Sequence, residues 1–336
     1  MPELKSNPAF TARLWHVVRR DWPIYAVTAV FAVCVTLVAT VFGARGHVRY
    51  FHYPPTALLA TAIAAFVFFV IFVARLGLQK HPRPFVAIRE RIRAAVRRPE
   101  EVLAFAGVVT AIVVFISLFT SLKSMIPLIQ PFTYDLLFAD LDRALHFGVD
   151  PWRITHGLFR GPWATGVIQV FYNLWFFALW GVLLLLALRL KDGRGRLQYL
   201  VAHMLCWMII GGLCAVLMSS AGPVYFGRVV EGPDPFAPLM ELLRTQNEWM
   251  TAAEWPVNIW ALGIQEDLWN AQQANATQLG SGISAMPSMH VSVAVLMALG
   301  MSRIHRRLGA MFWGLALLVQ IGSVHLAWHY AIDGYL

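Results

Sequence analysis

The sequence is poor in charge. Only 13% of its 336 residues are Asp, Glu, Lys or Arg, about half of the roughly 25% found in an ordinary soluble domain. With 58% hydrophobic residues beside so little charge, the chain does not form a wholly water-facing surface, and a lipid environment follows. Cysteine is equally scarce. Cys34, Cys206 and Cys214 all fall inside apolar runs, where they read as small buried hydrophobes, and no disulfide framework is implied. Internal repeats and low-complexity tracts are absent. No pair of spans is broken by Gly and Pro as in many carriers, which argues against a transporter without chemistry. Acids are outnumbered by bases, 18 to 27. The net charge of +9 raises nucleic acid as a partner, but its distribution speaks for a membrane instead.

What is present is a series of apolar runs near residues 24–42, 56–75, 101–121, 167–190, 199–219, 287–302 and 310–328. Each is read as a crossing of about 30 Å of hydrocarbon. The fold class expected is all-α: a polytopic membrane helical bundle of about seven spans. Between the spans basic residues alternate in density. The N-terminal arm, residues 75–98, residues 189–196 and the "RIHRR" turn hold 19 of them, and the longer remaining connections hold eight. By the positive-inside rule this puts the N-terminus in the cytoplasm. The first run is too long for a signal peptide and lacks a small-residue cleavage site, so it is read as a true span.

Two parts are expected. Residues 1–100 form a membrane hairpin and a basic amphipathic helix, in which Phe85, Ile88, Ile92 and Val96 recur among arginines as on a helix lying on an anionic leaflet. Residues 101–336 form a second, larger membrane domain, which holds the candidate catalytic residues. On its outer side lie two long connections, 122–166 and 220–286. In the first, Leu136, Leu137, Leu141 and Leu145 mark an amphipathic helix. The second carries Trp249, Trp255, Trp260 and Trp269, which suit an interfacial belt or a lid over an amphiphilic substrate.

The chemistry gathers at "SAMPSMHVSV" and "WHYAIDGY". A hairpin whose turn is cytoplasmic returns His290 and His329 to one outer level. His329 and Asp333 are spaced i,i+4, which stacks them on one face if the segment is helical. A carboxylate so placed holds an imidazole in one tautomer and stabilises its cation. Ser288 follows Pro287 at a helix start, where free N–H groups bind phosphate. Lys123 and Arg228 lie on the same outer side, where positive charge is sparse. Ionisable residues at such depth are functional by default. His16, His47, His52, His81, His146, His156, His203, His305 and His325 are read as structural or solvated, His325 least securely. A zinc site from His290, His329 and Asp333 suits the ligand types, but the nearby cations oppose it. The chain stops at "YAIDGYL", and a further span beyond it is expected.

At these residues the chain resembles the type-2 phosphatidic acid phosphatase superfamily, whose motifs are Lys-x6-Arg-Pro, Pro-Ser-Gly-His and Ser-Arg-x5-His-x3-Asp. Here the first runs from Lys123 to Gln130-Pro131, with glutamine for arginine. The second is Pro287-Ser288-Met289-His290, with methionine for glycine. The third keeps His329 and Asp333, with Gly322 and Ser323 at the Ser-Arg positions. The losses, together with "HYAID", are similar to the lipid phosphotransferase branch of inositol phosphorylceramide and sphingomyelin synthases. The resemblance implies that His329 attacks phosphorus, Asp333 orients it and His290 protonates the leaving group, with no metal or cofactor. Lys123, Arg228 and Ser288, lying on one side with the helix start, are the expected phosphate contacts, with Gln130 at the motif's arginine position. The implied partners are a phospholipid or lipid phosphate and an acceptor, either a ceramide-like lipid alcohol or water.

Overall fold

The computed structural model describes residues 8–188, 193–274, 276–277, 280 and 282–336. Lys5, Arg189 and Lys191 of the basic pattern lie outside them. No strand occurs among the described residues, and the helices are α1 (Pro8–Val41), α2 (Pro54–Leu78), α3 (Pro84–Val96), α4 (Pro99–Ile129), α5 (Asp135–Leu145), α6 (Pro151–Leu158), α7 (Gly161–Leu188), α8 (Gly193–Leu217), α9 (Ala237–Ala252), α10 (Trp260–Gln273), α11 (Met289–Ile304) and α12 (Arg306–His325). Proline opens α2, α3, α4 and α6, where the missing N–H is no loss because the first turn has no partner for it. Among the described residues six helices are long and apolar enough to cross a membrane: α1, α2, α4, α7, α8 and α12. The shorter α11 is apolar too, so each expected run has a helix. The protein is an integral multi-pass membrane protein.

The chain forms two compact units. The first comprises the described residues within 1–32, 50–117 and 180–204. At its centre the Arg196 guanidinium, fully buried, grips both carboxylate oxygens of buried Asp21, which Arg20 also holds. A charge buried in this way persists only when it is paired, so losing either partner costs several kcal/mol, about 3–5. Two of the basic residues counted towards the cytoplasmic charge, Arg20 and Arg196, are thus paired with one internal carboxylate.

The second unit comprises the described residues within 33–49, 118–179 and 205–336. Its long connections are helical, α5 and α6 in the first and α9 and α10 in the second. The amphipathic reading of α5 holds, but its polarity is reversed. Leu136, Leu137, Leu141 and Leu145 are exposed, and the buried face is Asp135, Phe138, Ala139 and Asp142. Both buried carboxylates are used. Asp135 accepts the N–H groups of Ala221 and Gly222 at 2.9 and 2.8 Å and the Tyr330 hydroxyl at 2.8 Å. Asp142 accepts the N–H groups of Ala331 and Ile332 at 2.8 and 3.0 Å. Within α8 the helix widens into a π turn, Ile209–Cys214, a feature that often accompanies functional sites.

Candidate active site

Three segments build the site: the entry to α11, the turn after α12, and the middle of α7. Ser288 is the N-cap of α11, its hydroxyl accepting from the N–H of Val291 at 3.4 Å. Its own N–H donates to the carbonyl of Asp333 at 2.7 Å, which ties the helix start to the second motif. His290 follows in the first turn. Beyond His325 the chain leaves the helix, and residues 331–334 close a single 3-10 turn. The α-helical stacking expected for His329 and Asp333 is therefore not how they meet. Asp333 folds back instead, so that its Oδ2 accepts the N–H of Tyr330 at 3.0 Å and the His329 ring at 3.1 Å.

This arrangement sets the tautomer of His329. Its Nδ1 lies 2.8 Å from the Ala285 carbonyl and 3.1 Å from Asp333 Oδ2. A carbonyl only accepts, so Nδ1 carries the proton and Nε2 presents a lone pair. The His290 ring lies across from it, centroids 6.0 Å apart and planes at 63°, a gap that one phosphoryl group spans. Asp333 is buried, and burial raises its carboxyl to about 6 against the opposing pull of its bond to His329.

Around His290 stand three aromatic residues of one α7 face. Tyr172 stacks at 5.0 Å, Trp175 lies at 4.4 Å and Phe176 meets it edge-on at 5.8 Å. The Tyr172 hydroxyl and the Trp175 indole N–H are buried without a hydrogen-bond partner among the described residues, as is Asp333 Oδ1. Buried donors left unmatched are uncommon and ask for a missing partner. Lys123 is within electrostatic range of His290. Gly282 brings the 282–288 segment hard against it: at φ +93° it has no Cβ, and one would fall 2.6 Å from the Lys123 carbonyl carbon.

The two remaining phosphate candidates are engaged elsewhere. Arg228 is exposed, bonded to Glu266 at 2.6 Å and lying over the Trp269 ring at 5.0 Å. It lines an open cavity of about 630 Å³ with Asp234, Glu241 and Arg244. The Gln130 side chain donates to Thr133 at 3.3 Å. Ser288 uses its hydroxyl as a helix cap. His329, Asp333 and Ser288 are thus linked by hydrogen bonds and His290 faces His329 across 6.0 Å, while Arg228 and Gln130 make no contact with them among the described residues.

The sequence profile of the PAP2 superfamily matches residues 136–334. The chain belongs to the PAP2 superfamily. No curated protein and no solved structure matches it. Members of this superfamily act on phosphoesters, which makes the chain an enzyme of that chemical class.

Against that family pattern its departures have a local explanation. Met289, where the family has glycine, finds room because Gly211 of the α8 π turn stands opposite: a Cβ there would lie 2.8 Å from the Met289 sulfur. Gly322, at the serine position, lets Tyr172 approach, since a Cβ would lie 3.0 Å from its ring. Ser323, at the arginine position, turns its hydroxyl back to the Gln320 carbonyl at 2.8 Å, and the Gln320 amide holds the Ala331 carbonyl at 3.0 Å. The arginine is replaced by a helix-terminating hydrogen-bond set and an aromatic wall. Sequence reading missed Asp135, Asp142, Tyr172, Trp175 and Gln320. The two aspartates stand seven apart, two turns of one helix face, a signal the leucine stripe overshadowed.

Proposed function

We propose that the chain is a membrane lipid phosphotransferase working through a phosphohistidine. The observation that carries this reading is the fixed His329 ring, proton on Nδ1 and lone pair on Nε2, facing His290 across 6.0 Å. The Nε2 lone pair attacks phosphorus and the bond from phosphorus to the leaving oxygen breaks. His290, protonated, gives its proton to that oxygen. An acceptor hydroxyl then attacks the phosphohistidine, His290 takes its proton, and the N–P bond breaks. General acid help of this kind is worth on the order of 10²–10⁴ in rate.

Phosphoryl transfer asks mainly for positioning and for positive charge on the equatorial oxygens. Lys123, the first-turn N–H groups of α11 and the unmatched donors of Tyr172 and Trp175 are the proposed sources, in place of the family arginines. Because neutral donors and one lysine replace two arginines, a phosphodiester carrying less charge than a terminal phosphate suits the site. That favours transfer of a phospho-headgroup to a lipid alcohol such as ceramide over hydrolysis of phosphatidate. The basic-residue pattern supports a cytoplasmic N-terminus and a site on the opposite face.

The test uses purified protein in phosphatidylcholine vesicles holding headgroup-labelled phosphatidylinositol, with and without ceramide, and labelled phosphatidate in parallel. Appearance of label on ceramide is the expected result. Release of free phosphate from phosphatidate, with no transfer, sinks the transferase reading and leaves the phosphatase.

A further inference from the structure

The exposed surface of α5 divides in two. At about 100° per residue, Leu137, Leu141, Ala144 and Leu145 share one arc, and Arg143, Leu136 and Asp140 share another. The third arc is the buried one. The leucines of the helix are 42–60% exposed. Just beyond it Phe147 is 99% exposed in a left-handed turn, φ +58°, a conformation that costs a non-glycine residue about 1–2 kcal/mol. A helix with one arc for protein, one for water and one apolar has the pattern of a helix lying in an interface plane. The chain leaves the spanning α4 at Ile129 and enters the spanning α7 at Gly161, so α5 emerges and returns at one membrane face. The occupant that fits this surface is the lipid itself.

The reverse face of the same helix holds the catalytic turn. Asp142 bonds the N–H groups of Ala331 and Ile332, next to Asp333, and Asp135 bonds the hydroxyl of Tyr330, whose N–H in turn holds Asp333. We infer that α5 is an in-plane lipid-docking helix whose leucine stripe and Phe147 sit at the headgroup and acyl boundary, and that through Asp135 and Asp142 this contact fixes the turn bearing His329 and Asp333. The lipid surface would then hold the reacting groups in register. The inference rests on geometry outside the reaction and stands whether the acceptor is alcohol or water.

The experiment places p-benzoylphenylalanine at Leu141, and in a second chain at Asp140, in full-length protein in dioleoyl phosphatidylcholine vesicles. Irradiation should give a phosphatidylcholine adduct at 141 and several-fold less at 140. A covalent dimer, or equal yields at the two positions, overturns lipid docking. Hydrogen exchange of the segment 330–333 is then compared between the parent and a Leu137→Ser, Leu141→Ser chain in the same vesicles. Exchange about tenfold faster is expected, and unchanged exchange overturns the coupling. Neither readout needs turnover, so failure here is distinct from failure of the phosphotransferase reading.

Discussion

The second unit contains two pairs of histidines, and they are built oppositely. His156 and His325 lie face to face, centroids 3.6 Å apart and planes at 13°. That is van der Waals contact, and no atom fits between the rings. His156 Nε2 donates to the His325 carbonyl at 3.0 Å, and His325 Nε2 donates at 2.9 Å to Thr165, whose hydroxyl goes on to Gln246 at 2.6 Å. His290 and His329 stand 6.0 Å apart with their planes at 63°, a carboxylate on one ring and unmatched donors beside the other. What separates a candidate site from a packing motif here is neither the number of histidines nor their nearness. It is a gap between them and an orienting group behind one of them.

The comparison breaks most visibly at the rings themselves. His329→Gln should cost turnover on the order of 10⁴-fold or more, the scale for removing an attacking group. His156→Gln, made in the stacked pair, should stay within about threefold. Steady-state transfer or release of lipid-bound phosphate in vesicles reads both. A loss of similar size in the two variants would mean that the stacked pair takes part in the chemistry.

The orienting group comes next. Asp333→Asn should lower turnover by about 10²–10⁴, because an amide holds the ring less well and does not stabilise its cation. Burial sets the Asp333 carboxyl at about 6, above its ordinary 3.8, so activity should fall as pH drops through about 6 and the carboxylate is lost. Stability runs the other way. A folded-state value above the unfolded one gives a contribution fully present below pH 3.8 and lost as pH rises through about 6. An acid limb near pH 6 that persists unchanged in the residual activity of Asp333→Asn would assign that limb to another group.

How much of this was legible in sequence follows the same division. His290, His329, Asp333 and the α11 start were found because a hairpin fixes which residues share a level, and hydropathy alone gives the hairpin. The spans were found for the same reason. What escaped was whatever depends on direction around a helix axis. The α5 stripe was recognised by period, but period does not say whether the apolar or the acidic arc faces the protein, and in lipid the apolar arc is free to face out. The i,i+4 spacing of His329 and Asp333 suggested a helix, while a 3-10 turn brings the same atoms together because Asp142 holds its N–H groups from outside. Nothing in the sequence distinguishes Tyr172 and Trp175 from other aromatics of a span, and only their unmatched buried donors single them out.

Arg228 and Lys123 extend the comparison to cations, with the smallest expected effect. Both are basic residues that the sequence offers as phosphate contacts, Lys123 near the end of α4 and Arg228 in the stretch between α8 and α9. Arg228 is already paired: Glu266 takes its guanidinium at 2.6 Å, Trp269 lies beneath it, and both it and Glu266 are open to solvent. An exposed ion pair of this kind contributes about 0–1 kcal/mol, and the ring contact about as much again. Arg228→Ala should therefore leave turnover within about threefold of the parent, with KM for the lipid unchanged. Lys123 is packed by its backbone against Gly282, at the start of the segment leading to His290, and has no carboxylate bonded to it among the described residues, so Lys123→Met should cost about 10²-fold or more in kcat, on the scale of losing one preorganised charge at a reacting oxygen. If Arg228→Ala proves as damaging as Lys123→Met, the guanidinium leaves Glu266 when substrate arrives, and the phosphate cradle includes it after all.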